Sequence, residues 1–194
     1  MNLKKDDLIT DDVSVKIIET VERMVTSYGA ETINVRKILK ELDITNRVFY
    51  NRFHNINEVL EIVYKNTILK IRETMPEKFE VSTSEEFFDQ VMSIVIHSLT
   101  SSYDSKMNFN QYVFNRDSIS ESNFQWWHSE IKKLIDYAMN KGFIKKVDSE
   151  VLSYSIWCFI RGYNADAVGR NLPKEEAVEN FRYSFGFLLD GLKS

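Results

Sequence analysis

The sequence predicts an all-α fold, and three observations support this. Apolar residues recur with a period close to 3.6 along nearly the whole chain and never settle into alternation. Only 2 Pro and 6 Gly interrupt 194 residues that are 43% hydrophobic, so there are few breakers and ample apolar surface for a core. Ser, Thr, Asn or Asp stands before most of the periodic stretches, where a side-chain oxygen can accept from free helix amides. The length suits one globular unit or a small unit followed by a larger one. The second arrangement is expected, with a three-helix unit over residues 1–55, a larger helical body over 56–194, and about nine helices.

The first helix is expected over 12–28, with acidic residues at its start complementing the dipole and Gly29 as its stop. Two short helices follow within 34–53. A long helix over 57–75 should end before Pro76, with Val59, Leu60, Val63, Ile68 and Ile71 tying the head to the body. Residues 76–83 read as a polar linker. Ser82 with Glu85 fits a capping box for a helix to about Ser102, and a short helix is expected near 105–115. Ser118 with Glu121 fits a second box for a helix running to Gly142. Asp148 can cap a helix to about Gly169, and Pro173 fits the first position of a last helix through Leu192.

The stretch NVRKILKELDITNRVFYNRF, residues 34–53, is the most informative part of the chain. Asn34 can cap a helix in which Val35, Ile38, Leu39 and Leu42 share one apolar face. Asp43, Ile44 and Thr45 then turn the chain, with Ile44 plugging the angle and Thr45 capping the next helix. In that helix Val48, Phe49 and Phe53 reach inward, leaving Asn46, Arg47, Tyr50 and Asn51 outward. Such side chains hydrogen-bond base edges and phosphates when a short helix lies in the major groove. An ordinary helical hairpin with a polar outer face has the same spacing.

Residues 13–60, about the first third of the chain, resemble the DNA-binding domain of TetR-type bacterial transcriptional regulators. Ile17, Ile18, Val21, Val25, Tyr28 and Gly29 match its first helix and stop. Asn34, Val35 and Ile38 match its second helix, and Phe49, Tyr50, Phe53, Glu58 and Leu60 match the recognition helix and the acidic start of the fourth, without gaps. Three positions depart from the pattern: Asp43 replaces a usual glycine, Arg52 a common histidine, and Ile56 a phosphate-contacting lysine. The glycine implies a positive φ, which Asp tolerates better than most residues. With Ile56 in place of lysine, backbone amides at the start of the fourth helix are left to hold the phosphate, with Arg52 and Arg36 supplying charge. The expected DNA-contacting set is Asn34, Arg36, Thr45, Asn46, Arg47, Val48, Tyr50, Asn51, Arg52 and Asn55.

A net charge of −4 does not exclude nucleic acid, because binding needs only a local basic surface. Over residues 32–55 the cations Arg36, Lys37, Lys40, Arg47 and Arg52 face only Glu41 and Asp43, a local balance of +3. The single cysteine, Cys158, lies among Ile156, Trp157, Phe159 and Ile160; it precludes an internal disulfide and is expected to be buried. No apolar run is long enough to span a bilayer and the start lacks a signal core, so a cytoplasmic, membrane-free protein is expected. His54, His97 and His128 lack zinc-site spacing, and neither His128-Ser129-Glu130 nor the Ser129-to-Lys132 spacing has the partners its chemistry needs. No enzyme activity, metal or cofactor is expected.

Aromatic residues crowd the middle of the chain, and most must be core. A pocket for a small organic effector would draw on His97, Phe109, Tyr112, Arg116, Trp126, Trp127, Trp157 and Arg161, with Asn123 and His128 also available. Arg161 stands out, because an arginine in an apolar helix needs an acceptor, and an anion can be one. The last two helices are apolar on more than one side, and the resemblance implies that they form a dimerising four-helix bundle. Tyr154, Phe159, Tyr163, Phe181, Phe185, Leu188 and Leu189 are the expected homodimer contacts. A two-fold dimer sets two recognition helices about 34 Å apart and calls for a near-palindromic operator in double-stranded DNA. The expected function is an effector-controlled repressor. An activator or a regulator controlled by a protein partner, and a helical interaction module without DNA binding, stand as alternatives.

Overall fold

The computed structural model describes residues 9–73, 79–104 and 107–193, the side chains of 104–111 excepted. Among the described residues the chain forms nine α-helices, one short 3-10 turn (Ala30–Thr32) and no strand. They divide into two compact units, Met1–Thr74 and Met75–Ser194.

The first unit holds α1 (Asp12–Tyr28), α2 (Val35–Leu42), α3 (Asn46–Tyr50) and α4 (Ile56–Glu73). Helix α1 opens at Asp11, whose carboxylate accepts from the amides of Val13 and Ser14, while the Ser14 hydroxyl accepts from the Asp11 amide. It stops at Gly29, whose φ of 85° a side chain rarely adopts. Spacings of three and four place Ile17, Val21, Met24 and Val25 on one buried face, against which α2 and α4 pack. Ile38 of α2, Phe49 of α3, and Val59 and Val63 of α4 complete the core, all with no exposed surface. The compact division therefore falls after α4, whereas the sequence places the change of role at residue 55; α4 buries its apolar face with α1.

The second unit holds α5 (Ser84–Asp104), α6 (Met107–Asp117), α7 (Glu121–Lys141), α8 (Ser149–Gly169) and α9 (Lys174–Leu192). Helix α8 packs on α5, α6 and α7, and α9 packs on α5. The core joins Phe87, Phe88 and Leu99 of α5 to Ile135 and Ala138 of α7, Ile156 of α8, and Phe181, Phe185 and Leu189 of α9. Phe181 and Phe185 stack at 5.3 Å, and Phe159 lies 5.7 Å from each. The Tyr163 hydroxyl satisfies itself on the Ala177 carbonyl at 2.8 Å. Antiparallel pairing of Ile144 with Lys193 ties the segment after α7 to the end of α9.

Two of the expected caps move. Helix α5 is boxed by Thr83 and Glu86, not by Ser82 and Glu85: the Thr83 hydroxyl accepts from the Glu86 amide at 3.2 Å, and the Glu86 carboxylate accepts from the Ser82 and Thr83 amides. Both Phe87 and Phe88 are buried in that register. Helix α7 is capped by Ser120 and not Ser118, whose hydroxyl instead donates to the Phe114 carbonyl at the end of α6. Cys158 is exposed rather than buried, because it shares an outward stripe with Val151 and Tyr154 at helical spacing. The end of the expected 57–75 helix and the first three residues of the 76–83 linker lie outside the described residues.

Candidate nucleic-acid interface

The two short helices are built around a tight corner. The Asn34 side chain accepts from the Lys37 amide at 3.1 Å, and α2 then runs two turns to Asp43. Asp43 takes φ 51° and ψ 46°, the left-handed conformation expected where a glycine is usual. The Ile44 amide closes that corner on the Leu39 carbonyl at 3.0 Å. The Thr45 hydroxyl accepts from the Val48 amide and opens α3.

Helix α3 is held from below by aromatic packing. Phe49 is fully buried, and its ring centroid lies 5.7 Å from that of Phe53 and 5.3 Å from that of Tyr50, edge-on to the latter. The opposite edge faces outward: Asn46 and Arg47 are exposed, and Tyr50 keeps 45% of its surface accessible. Arg36 and Lys40 of α2 are exposed as well. Several other cations nearby are engaged: Lys37 donates to the Thr32 carbonyl at 2.6 Å, Arg23 pairs with Glu41 at 2.9 Å and Lys70 with Glu22 at 2.7 Å.

Four expected contacts take other roles. Asn34 and Thr45 spend their side-chain oxygens on helix caps. Asn55 does the same for α4, accepting from the Glu58 amide at 3.1 Å, so this amide is not left for a phosphate. Arg52 is the clearest correction. Its Nε donates to Asp11 Oδ1 at 2.9 Å, its Nη2 to Asp11 Oδ2, and its Nη1 to the Val48 carbonyl at 2.8 Å. Only 11% of its side chain is accessible, and it holds the Asp11 carboxyl well below the usual carboxylate range. Its guanidinium is thus turned toward Asp11 and Val48, away from the exposed basic face expected from the sequence. Asp11 carried no recognisable signal beyond its capping role, because its partner lies 41 residues away.

The expected effector set is dispersed or engaged. His97 is exposed, and the Phe109 side chain lies outside the described residues. Tyr112, Arg116, Trp126, Trp127 and Trp157 are half-buried, with Trp127 and Trp157 stacked at 6.0 Å. Arg161 finds its acceptor within the chain, donating from Nη2 to the Ser118 hydroxyl, while its buried Nε has no partner among the described residues. Asn123 is buried and donates to Asp117 at 2.9 Å. His128 lies 3.2 Å from the Glu150 carbonyl and beside a shallow groove lined by Phe124, Val151 and Tyr154, none of them in the expected set for the effector.

The expected dimer contacts also divide. Phe181, Phe185 and Leu189 are buried in their own unit, and Phe159, Tyr163 and Leu188 pack against the same core while each stays partly accessible. Tyr154 is 54% exposed. The apolar groups left uncovered on α9 are Tyr183 and Phe187, 71% and 64% exposed, with rings 5.0 Å apart. Spacing alone shows that α9 is apolar on several sides, but not which side the core takes.

No protein-family model matches the sequence, and no curated protein does. Solved structures do match. The chain is similar to a TetR-family transcriptional regulator of Pectobacterium atrosepticum, with TM-score 0.71 and 14% identity over 94% of each chain. It is similar to another of Marinobacter aquaeolei, at 0.64 and 14%, over 94% of this chain and 92% of that one. A third is the fatty acid degradation regulator FadR of Bacillus halodurans, at 0.61 and 15%, over 88% and 95%. The fold is that of TetR-type transcriptional regulators.

Proposed function

We propose that the protein is a DNA-binding transcriptional regulator that places α3 in the major groove of a near-palindromic operator as a homodimer. One observation carries this: α3 is anchored by a fully buried Phe49 while Asn46, Arg47 and Tyr50 stand exposed on its other edge. Arg47 has the length and fork to read a guanine, and Asn46 can take an adenine or a phosphate. Tyr50, Arg36 and Lys40 suit phosphates, while Val48 and Asn51 lie half-buried beside them. The TetR-type fold supports the reading, since neighbours with that fold are described as transcriptional regulators.

The second unit serves as the effector-binding and dimerising body, and a repressor released by a small organic effector is the favoured direction. Helix α4 is the last element of the first unit and so the covalent route by which a change in the body reaches the head. The effector must bind the DNA-free state better, and a coupling of about 1–3 kcal/mol changes DNA affinity about 5- to 150-fold. The exposed Tyr154, Tyr183 and Phe187 are the side chains a second copy would cover. No helix among the described residues is long and apolar enough to cross a membrane.

The test is titration of a labelled random-sequence duplex at several salt concentrations, followed by selection of bound fragments from genomic DNA. Affinity that falls steeply with salt and a recovered inverted repeat support the reading. Absence of salt-dependent binding overturns it in favour of a helical interaction module.

A further inference from the structure

The geometry points to a second-site device that sets the recognition helix: we propose that the Asp11–Arg52 clasp is a positioning pair that locks the C-terminal end of α3 onto the N-terminal end of α1, without Arg52 touching DNA. The proposal rests on the DNA-binding reading and deepens it.

Helix α3 has only five residues, too few to persist on hydrogen bonds of its own. Its N-terminal end is held by Thr45 and its middle by Phe49. At the C-terminal end two links run to the segment before α1, and a third ties that segment to α1 itself. Arg52 grips the Asp11 carboxylate with two nitrogens and uses its third to take the carbonyl of Val48, the central residue of α3. The Ile9 amide donates to the Asn51 carbonyl at 2.9 Å. The Ser14 hydroxyl donates to the Ile9 carbonyl at 3.0 Å, closing a ring from α1 back to α3. A bidentate guanidinium–carboxylate pair fixes direction as well as distance, which a lysine could not do. The same Asp11 caps α1, so the helix that forms the floor of the unit also sets the angle of its smallest helix.

The sequence alone suggests the opposite role for Arg52, a phosphate contact on a basic face. The two roles differ in what Asp11 does. A phosphate contact leaves Asp11 irrelevant or mildly repulsive to DNA, whereas a positioning pair makes Asp11 as necessary as Arg52.

The experiment compares the full-length wild type with Asp11→Ser, Arg52→Gln and the double variant. Serine retains an N-cap for α1 while removing the partner of Arg52, so the clasp is broken without unravelling the helix. Affinity is read by anisotropy on the duplex recovered by selection, across a salt series. Each single variant should lose about 3- to 10-fold in affinity, and the double should lose no more than the worse single, as expected for two halves of one interaction. The slope of log affinity against log salt should be unchanged in all three. A loss confined to Arg52→Gln, with the slope falling by about 0.9, is the signature of a lost phosphate contact and overturns the proposal.

A second measurement needs no DNA. Amide hydrogen exchange should speed up at residues 49–53 in Asp11→Ser and in Arg52→Gln, while the α1 amides around Val21 keep their protection. Unchanged exchange at 49–53 overturns the clasp. Were the wild type to show no DNA binding, the functional reading would fall, while the exchange result would still decide whether the clasp holds α3.

Discussion

The two units solve the same packing problem and leave opposite residues outside. In the first, every large apolar group of α2 and α3 except Tyr50 is at least half buried, and the exposed groups are mostly polar and cationic: Arg36, Lys37, Lys40, Asn46 and Arg47, beside a Glu41 that is paired with Arg23. In the second, two polar groups that looked available find acceptors within the unit, Arg161 Nη2 on Ser118 and Asn123 on Asp117, while Tyr154, Tyr183 and Phe187 stand uncovered. Exposed cations on two short helices suit a polyanion, and exposed aromatics on long helices suit another apolar surface. On the proposed reading, the side chains that each core leaves outside set the partner each unit takes.

Substitutions can break or sharpen this contrast, and the largest effect belongs to the anchor. Phe49→Ala should destabilise the first unit by about 3–5 kcal/mol and abolish DNA binding, read by thermal denaturation and by titration. Binding that survives this change would show that α3 needs no anchor. Next comes the apolar pair on α9: Tyr183→Glu with Phe187→Glu should shift a dimer to monomer at a cost of about 2 kcal/mol or more, measured by light scattering. If the wild type is itself monomeric, or the variant stays dimeric, the uncovered aromatics are not the interface.

Arg47→Ala should lower operator affinity by about 1–3 kcal/mol and relax preference at one base pair. Equal loss on every sequence would make Arg47 a phosphate contact instead. Tyr50→Phe is milder, with about 0.5–1.5 kcal/mol lost and no change of consensus, as for one phosphate hydrogen bond.

The smallest effect is that of pH on the clasp. Arg52 holds the Asp11 carboxyl below its usual value, so the pair contributes stability above the unfolded pKa of about 3.9 and loses it as pH falls from there through the folded value. Wild type and Asp11→Ser should therefore differ by a constant amount between pH 5 and 8 and converge only below about pH 4 in urea titrations. Convergence at about pH 6 would rule out the salt-bridged carboxylate.

The first unit was legible almost residue by residue because its signals are local. Asp12–Tyr28 and Val35–Leu42 begin and end where the capping residues and Gly29 place them, and Asp43 takes the left-handed corner that the missing glycine implies. Caps and turns act over three or four residues, so spacing suffices to find them. Spacing placed the caps of α5 and α7 at Ser82 and Ser118, and it did not choose Thr83 and Ser120, the residues that cap them. At α5 the register that buries Phe87 and Phe88 did, and at α7 the Ser118 hydroxyl was already engaged at the end of α6.

Sequence by itself determined the helices, their order, the corner before α3 and three of the four residues expected on its outer edge, Asn46, Arg47 and Tyr50 but not the half-buried Asn51, because each depends on contacts within one or two helical turns. Only the tertiary structure decided that Arg52 belongs to Asp11, that Arg161 is met by Ser118, that Cys158 faces outward, and that Phe181 and Phe185 are core while Tyr183 and Phe187 are not. Those outcomes depend on which faces meet across tens of residues, and helical periodicity shows how many faces are apolar without showing which one is covered.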